Sequence, residues 1–106
     1  MVNLNKAKIN RINLSGASLI KINLVGINLN YIHLSGANLT QANLCSVSLQ
    51  QANLSSANLT KAALRGANLE RANLEKANLT EANLSGANLK EAKLSSAIMP
   101  GGTTHD

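Results

Sequence analysis

The stretch ANLSSANLTKAALRGANLERANLEK, residues 52–76, repeats one five-residue motif five times, and its period decides the fold. Four of the five units read A-N-L-x-x and the one at 62–66 reads A-A-L-x-x, with Ala and Leu two residues apart throughout. Extending the register outward covers nearly the whole chain. Large aliphatic residues recur at every fifth position from Leu4 through Ile9 and Leu14 to Leu94 and Met99, and eighteen of these twenty are Leu. Two residues before each stands a smaller apolar residue: fourteen Ala, four Ile (12, 22, 27 and 32) and two Val. The residue between them is Asn in thirteen units.

A period of five fits neither regular element. On a helix, five residues turn about 140° beyond a full turn, so the Leu side chains would spiral around every side. On a straight strand, side chains alternate, so an odd step sends successive Leu to opposite faces. Within one unit, however, Ala and Leu share a side of an extended segment. A corner made by the two x residues must then reset the phase before the next Ala. Each unit is therefore one short extended side plus a turn, with Ala and Leu pointing inward. Helix propensity favours residues 61–94, which are rich in Ala, Leu, Glu and Lys, but the hydrophobic period overrules it.

The outward residues give the number of sides. The last position of each unit alternates small and long residues, as in Gly16, Lys21, Gly26, Tyr31, Gly36 and Gln41, so the number of sides is even. Thr40, Thr60 and Thr80 repeat at twenty residues, as do Ser15, Ser35 and Ser55, which selects four. The Gly corners read as places where the turn needs positive φ. The repeated Asn reads as architecture: stacked amides that bond neighbouring coils and backbone. The six N-x-S/T sequons that fall out of the same repeat read as incidental. The Ile cluster at 12, 22, 27 and 32 predicts a wider, fuller core in the N-terminal half.

These tandem units resemble the pentapeptide repeat proteins, and the likeness spans residues 2–101. The resemblance implies an all-β fold, a right-handed quadrilateral β-helix (solenoid) of about five four-sided coils. Relatives often carry Phe at some central positions, which this chain never does. The closing stretch AIMPGGT resembles the ends of many cyanobacterial members. The expected organisation is a repeat domain over residues 1–101, whose last side Pro100 merely stops, and a short tail over 102–106.

Composition narrows the function. The chain has 106 residues, 44% hydrophobic and 14% charged, with Tyr31 as its one aromatic, which allows a single domain with an aliphatic core. No apolar run approaches the ~18 residues of a membrane span, and the opening MVNLNKAKIN is not a secretory signal, so a cytoplasmic location is expected. Cys45 has no partner for an internal disulfide, which fits a reducing compartment. No nucleophile–base pair, carboxylate pair, phosphate-binding loop or metal-spaced Cys/His set occurs, and a filled Leu core would leave no pocket. The expectation is no enzyme, no cofactor, no metal and no small-molecule substrate.

A non-catalytic structural or protein–protein interaction module is the resulting reading, with an unidentified protein partner. Residues 22–60 carry no charge, and Ile20 and Val25 take corner positions usually held by Ser, Thr or Asn. Together with Lys21 and Tyr31 they form the candidate partner surface. At the far end, Ile98 and Met99 replace Asn and Leu, and the apolar edge they give is the candidate end-to-end contact for a homodimer. Two alternatives come with the charge and the family. Some relatives are DNA mimics that bind type II topoisomerases, but mimicry needs a long acidic surface and this chain has net charge +5. The basic N-terminal coil, with Lys6, Lys8, Arg11 and Lys21, could touch nucleic acid, but four cations without stacking aromatics make a weak footprint.

Overall fold

The computed structural model describes residues 12–106, so Lys6, Lys8 and Arg11 of the basic end lie outside the described residues. From residue 12 onward the middle residue of each unit pairs in parallel with the residue twenty positions later, from Asn13 with His33 to Asn78 with Ile98. A pairing offset of twenty with a unit of five means four units, one per side, between one coil and the next. The chain is thus an all-β solenoid whose sides are too short to be more than single-bridge strands.

The backbone donors explain the motif position by position. In unit 37–41, the Ala37 N–H closes the preceding turn on Leu34 O at 3.0 Å. Asn38 N–H donates back to Ala17 O at 2.9 Å, and Leu39 and Gln41 N–H donate forward to Asn58 O and Thr60 O at 2.7 and 2.9 Å. Only the N–H of Thr40, at the start of the corner, has no backbone acceptor. It donates to the Asn38 Oδ1 at 3.1 Å. The same bond, 2.9–3.2 Å long, is made by all twelve middle-position Asn among the described residues. Asn therefore completes its own turn, as Asx side chains do. Among the described residues, the expected amide ladder between coils is reduced to one long contact, Asn88 Nδ2 to Asn68 Oδ1 at 3.4 Å.

Two of the six exceptions among the described residues satisfy or remove that donor in another way. At Ser18, His33, Ala63 and Lys93 the Ile20, Ser35, Arg65 and Ser95 N–H groups have no acceptor among the described residues. Where Ser48 replaces Asn, Asn30 of the preceding coil accepts from Gln50 N–H at 2.8 Å and from Ser48 Oγ at 2.5 Å. Where Ile98 replaces Asn, the corner begins with Pro100, which has no N–H to satisfy. Where Ala63 replaces Asn, the Arg65 N–H is left without an acceptor among the described residues. Arg65 occupies the second position of its turn, where type II turns favour Pro. Replacing Arg65 by Pro is therefore expected to raise stability by about 0.4–1 kcal/mol, through the unfolded chain. Urea unfolding checks it; a loss of stability would mean that the Arg65 N–H is used.

Among the described residues, every corner from Leu14–Ala17 to Leu94–Ala97 closes with a bond from the next Ala-type N–H to the preceding Leu-type carbonyl, 2.9–3.2 Å. The second corner residue has positive φ at every fifth position from Gly16 to Ser96, as a type II turn requires. Twelve of these residues are not Gly, Lys21, Gln41, Lys61 and Glu81 among them. The positive φ expected at Gly is thus general, and it does not explain why alternate corners are small. A Cβ at Gly86 would stand 3.8 Å from Gly66 N, an ordinary contact, so nothing in the structure accounts for the alternation.

The core is a column of aliphatic side chains. Leu34 and each Leu from Leu39 to Leu79 is fully buried, and so are the Ala and Val between them. No polar or charged residue is buried among the described residues. The first described coil departs from this pattern. It holds an apolar hollow of about 110 Å³ lined only by Ile and Leu, with Ile12, Ile22 and Ile32 among them. The fuller core expected there is not found, since the Ile and Leu side chains leave this hollow between them. The expectation of a core without any pocket is corrected accordingly, although this lining offers no group for chemistry.

The C-terminal tail does more than stop the last side. Pro100 O accepts from Glu81 N–H at 3.0 Å, and Gly102 N–H closes a turn on Met99 O at 2.7 Å. The chain then returns antiparallel, with Thr104 bridged to Ile98. Ser96 N–H donates to His105 O at 3.0 Å, Met99 N–H to Thr103 O at 2.8 Å, and His105 N–H to Ala97 O at 2.8 Å.

Candidate interaction surface

The repeat fixes where each candidate residue stands. Ile20 opens the corner before the side that runs from Ile22 to Leu24, and Val25 opens the corner after it. Both face outward, 50% and 49% exposed. Their backbones are held by the ordinary corner bonds. Val25 N–H donates to Asn23 Oδ1 at 3.2 Å, and Lys21 N–H donates to Thr40 O at 2.9 Å. Lys21 is exposed, at φ 61°.

Tyr31 stands apart from this group. It closes the corner one side further round, with φ 68° and its N–H on Gln50 O at 2.9 Å, and its side chain is half-buried. The structure thus brings Ile20, Lys21 and Val25 to the two ends of one side and leaves Tyr31 on the next corner. A residue that the pattern missed completes the patch instead. Ile27, placed inward by its register, is 38% exposed. It follows Val25 across the same turn, so Ile20, Val25 and Ile27 form the exposed large hydrophobic group of the described residues. Residue type alone did not mark it, since Ile32 takes the same Ala position and is buried.

The second candidate pair, Ile98 and Met99, is half-buried. Its edge is covered by the protein's own tail, whose backbone takes up the Ser96 and Met99 N–H groups. Cys45 is a half-buried free thiol, with its N–H on Asn43 Oδ1. It stands in the corner column between Val25 and Arg65, since Gly26 N–H reaches Cys45 O and Ser46 N–H reaches Arg65 O.

Charges on the later coils pair along the solenoid axis. Lys61 Nζ lies 3.9 Å from Glu81 Oε2, and Arg71 Nη2 lies 3.5 Å from Glu91 Oε1, twenty residues on in each case. These pairs are more than half exposed and add little to stability. Among the described residues, no helix is long and apolar enough to cross a membrane, and no three His, Cys, Asp or Glu converge as metal ligands.

Comparison with known proteins agrees with this architecture. Rfr23, a pentapeptide repeat protein from the cyanobacterium Cyanothece 51142, is 39% identical, with a TM-score of 0.71 over 84% of this chain. This chain covers 64% of that protein, less than two thirds of its length. A pentapeptide repeat protein from the thylakoid lumen of Arabidopsis thaliana is 33% identical, with a TM-score of 0.70 over 89% of this chain and 69% of its own. Such relatives are right-handed β-helices. No curated protein sequence matches the chain. The family model for pentapeptide repeats matches in eight copies, over residues 22–60 and 57–95. The chain belongs to the pentapeptide repeat family.

Proposed function

We propose that this protein is a non-catalytic interaction module, a right-handed solenoid that offers one apolar patch to a protein partner. The repeat written through residues 2–101 corresponds to about five four-sided coils. The reading rests on one observation: Ile20 and Val25 are half exposed on neighbouring corners, joined by Ile27, at the start of a stretch without charge. Apolar residues grouped in a neutral zone fit the centre of an interface, where charge is depleted. Lys21 shares the corner of Ile20, Tyr31 stands on the next corner beyond Val25, and the two border the patch.

The acidic corners Glu81 and Glu91 face Lys61 and Arg71, which works against a duplex-mimicking surface. A cytoplasmic location agrees with the free thiol of Cys45, while the lumenal relative shows that the family extends beyond that compartment. The test is an affinity capture from the source cell's lysate, with the wild type and an Ile20→Ser/Val25→Ser variant as baits. The variant is expected to lose a partner that the wild type retains. Recovery of the same material by both would remove the patch as the contact surface. Binding that weakens steeply with salt would point instead to nucleic acid at the basic end.

A further inference from the structure

The apolar hollow of the first described coil has a volume of about 110 Å³, and every side chain that lines it is Ile or Leu. Ile32 and Leu34, both fully buried, lie beneath it in the following coil. Ile12, Leu14, Leu19, Ile22 and Leu24 form its walls. They are only half-buried, which leaves a way in from solvent. The walls are not free to close on this space. The Leu14, Leu19 and Leu24 N–H groups donate to His33 O, Asn38 O and Asn43 O at 2.8, 2.7 and 2.9 Å, so three sides are fixed to the coil that follows. The Ala17, Ile22 and Ile27 N–H groups close the corners after these sides at 3.0–3.2 Å. A backbone held in this way relaxes little around a gap, and the side chains that border the gap forgo contacts on one face.

We infer that this hollow is a binding site for small apolar molecules, up to about the size of benzene. Its lining restricts the guest. A water molecule in such a site needs two to four polar partners, and aliphatic side chains supply none. A charged or hydrogen-bonding molecule would lose its hydration there without compensation. An apolar guest loses nothing of that kind and restores the contacts that the lining lacks. An engineered apolar cavity of about 150 Å³ takes xenon or benzene, so a hollow of about 110 Å³ suits guests of that size or smaller. Ile20 and Val25 face outward and take no part in the lining, so this site stands or falls apart from the interaction patch.

Xenon is the probe. Methyl NMR shifts of the 106-residue chain are recorded over a series of xenon pressures. The methyls of Ile12, Leu14, Leu19, Ile22 and Leu24 are expected to move along one saturating curve. Those of Leu44, Leu54 and Leu64, fully buried further along the column, are expected to move several-fold less. Leu24→Phe, with its circular dichroism retained, puts a larger side chain into the hollow and is expected to abolish the saturating response. Ile20→Ser/Val25→Ser is expected to keep it. Methyls that stay silent, that move linearly with pressure, or that respond equally along the whole column would overturn the inference. So would a folded Leu24→Phe chain that still responds. Loss of the response in Ile20→Ser/Val25→Ser would overturn it too, by placing xenon on the outer corners. If Leu24→Phe unfolds, saturation in the unaltered chain, confined to the five wall residues, decides.

Discussion

Replacing Leu59 by Ala is expected to lower the unfolding free energy by about 3–5 kcal/mol, toward the upper end for a buried Leu. Leu59 is fully buried in the middle of the column. What sets the cost is how far the surroundings can close on the gap. Here they cannot close far, because each side is held to the coils before and after it. Leu59 N–H donates to Asn78 O at 2.7 Å and Asn58 N–H to Ala37 O at 2.9 Å. Leu89→Ala makes the contrasting case, since Leu89 is half-buried on the open end coil. That change is expected to cost about 1 kcal/mol, because less surface is returned to water. Urea unfolding of the two variants side by side measures the difference. Equal losses would mean that the column relaxes around its gaps like a fluid core.

Asn58→Ala is expected to cost about 1–2 kcal/mol, the range of lost caps on turns and helix ends. The Asn58 Oδ1 accepts from Thr60 N–H at 3.0 Å and from Thr60 Oγ1 at 2.6 Å, so the substitution strands two donors at once. Thr60 is half-buried, and water can replace part of what is lost, which keeps the cost below that of a fully buried orphan. A second variant separates this explanation from simple loss of side-chain packing. With Thr60→Pro in place, both donors are gone, as the backbone donor already is at Ile98 and Pro100. Asn58→Ala should then be nearly silent. A full penalty in that background would show that the amide works through its neighbours and not through its own turn.

Much of the fold could be read before any coordinates because the period of five leaves few alternatives. The inward Ala and Leu and the outward corners follow from that spacing, the four sides from the twenty-residue echo of the outward residues, and the parallel pairing at twenty residues agrees with them. What could not be read depends on bonds that spacing does not encode. The Asn positions pointed to a ladder, but the orphan donor of each corner lies within the same unit, two residues on, and captures the amide first. Positive φ was assigned to Gly by its conformational freedom, yet Lys, Gln, Glu and Ser adopt it as well, because the turn bond and the forward N–H bond impose it. Ile27 was placed inward by register and lies partly outside. The tail carries no period at all, so its return over Ile98 was invisible. Of the candidate surface, Ile20 and Val25 were legible from their residue types alone; the separation of Tyr31 from them needed the corner geometry.

The twenty-residue offset also makes the molecule behave like a dial with four stops. Inserting or deleting one five-residue unit between Val25 and Ile98 would leave every local bond intact. It would nevertheless turn everything beyond it by a quarter, so the tail would close a different face relative to the Ile20 and Val25 patch. Four units added together would restore the alignment and only lengthen the body. The angular relation between the two ends is therefore set by the unit count modulo four. Each unit added or removed carries its own Ala–Leu pair into or out of the core, so the core keeps its pattern while the facing changes.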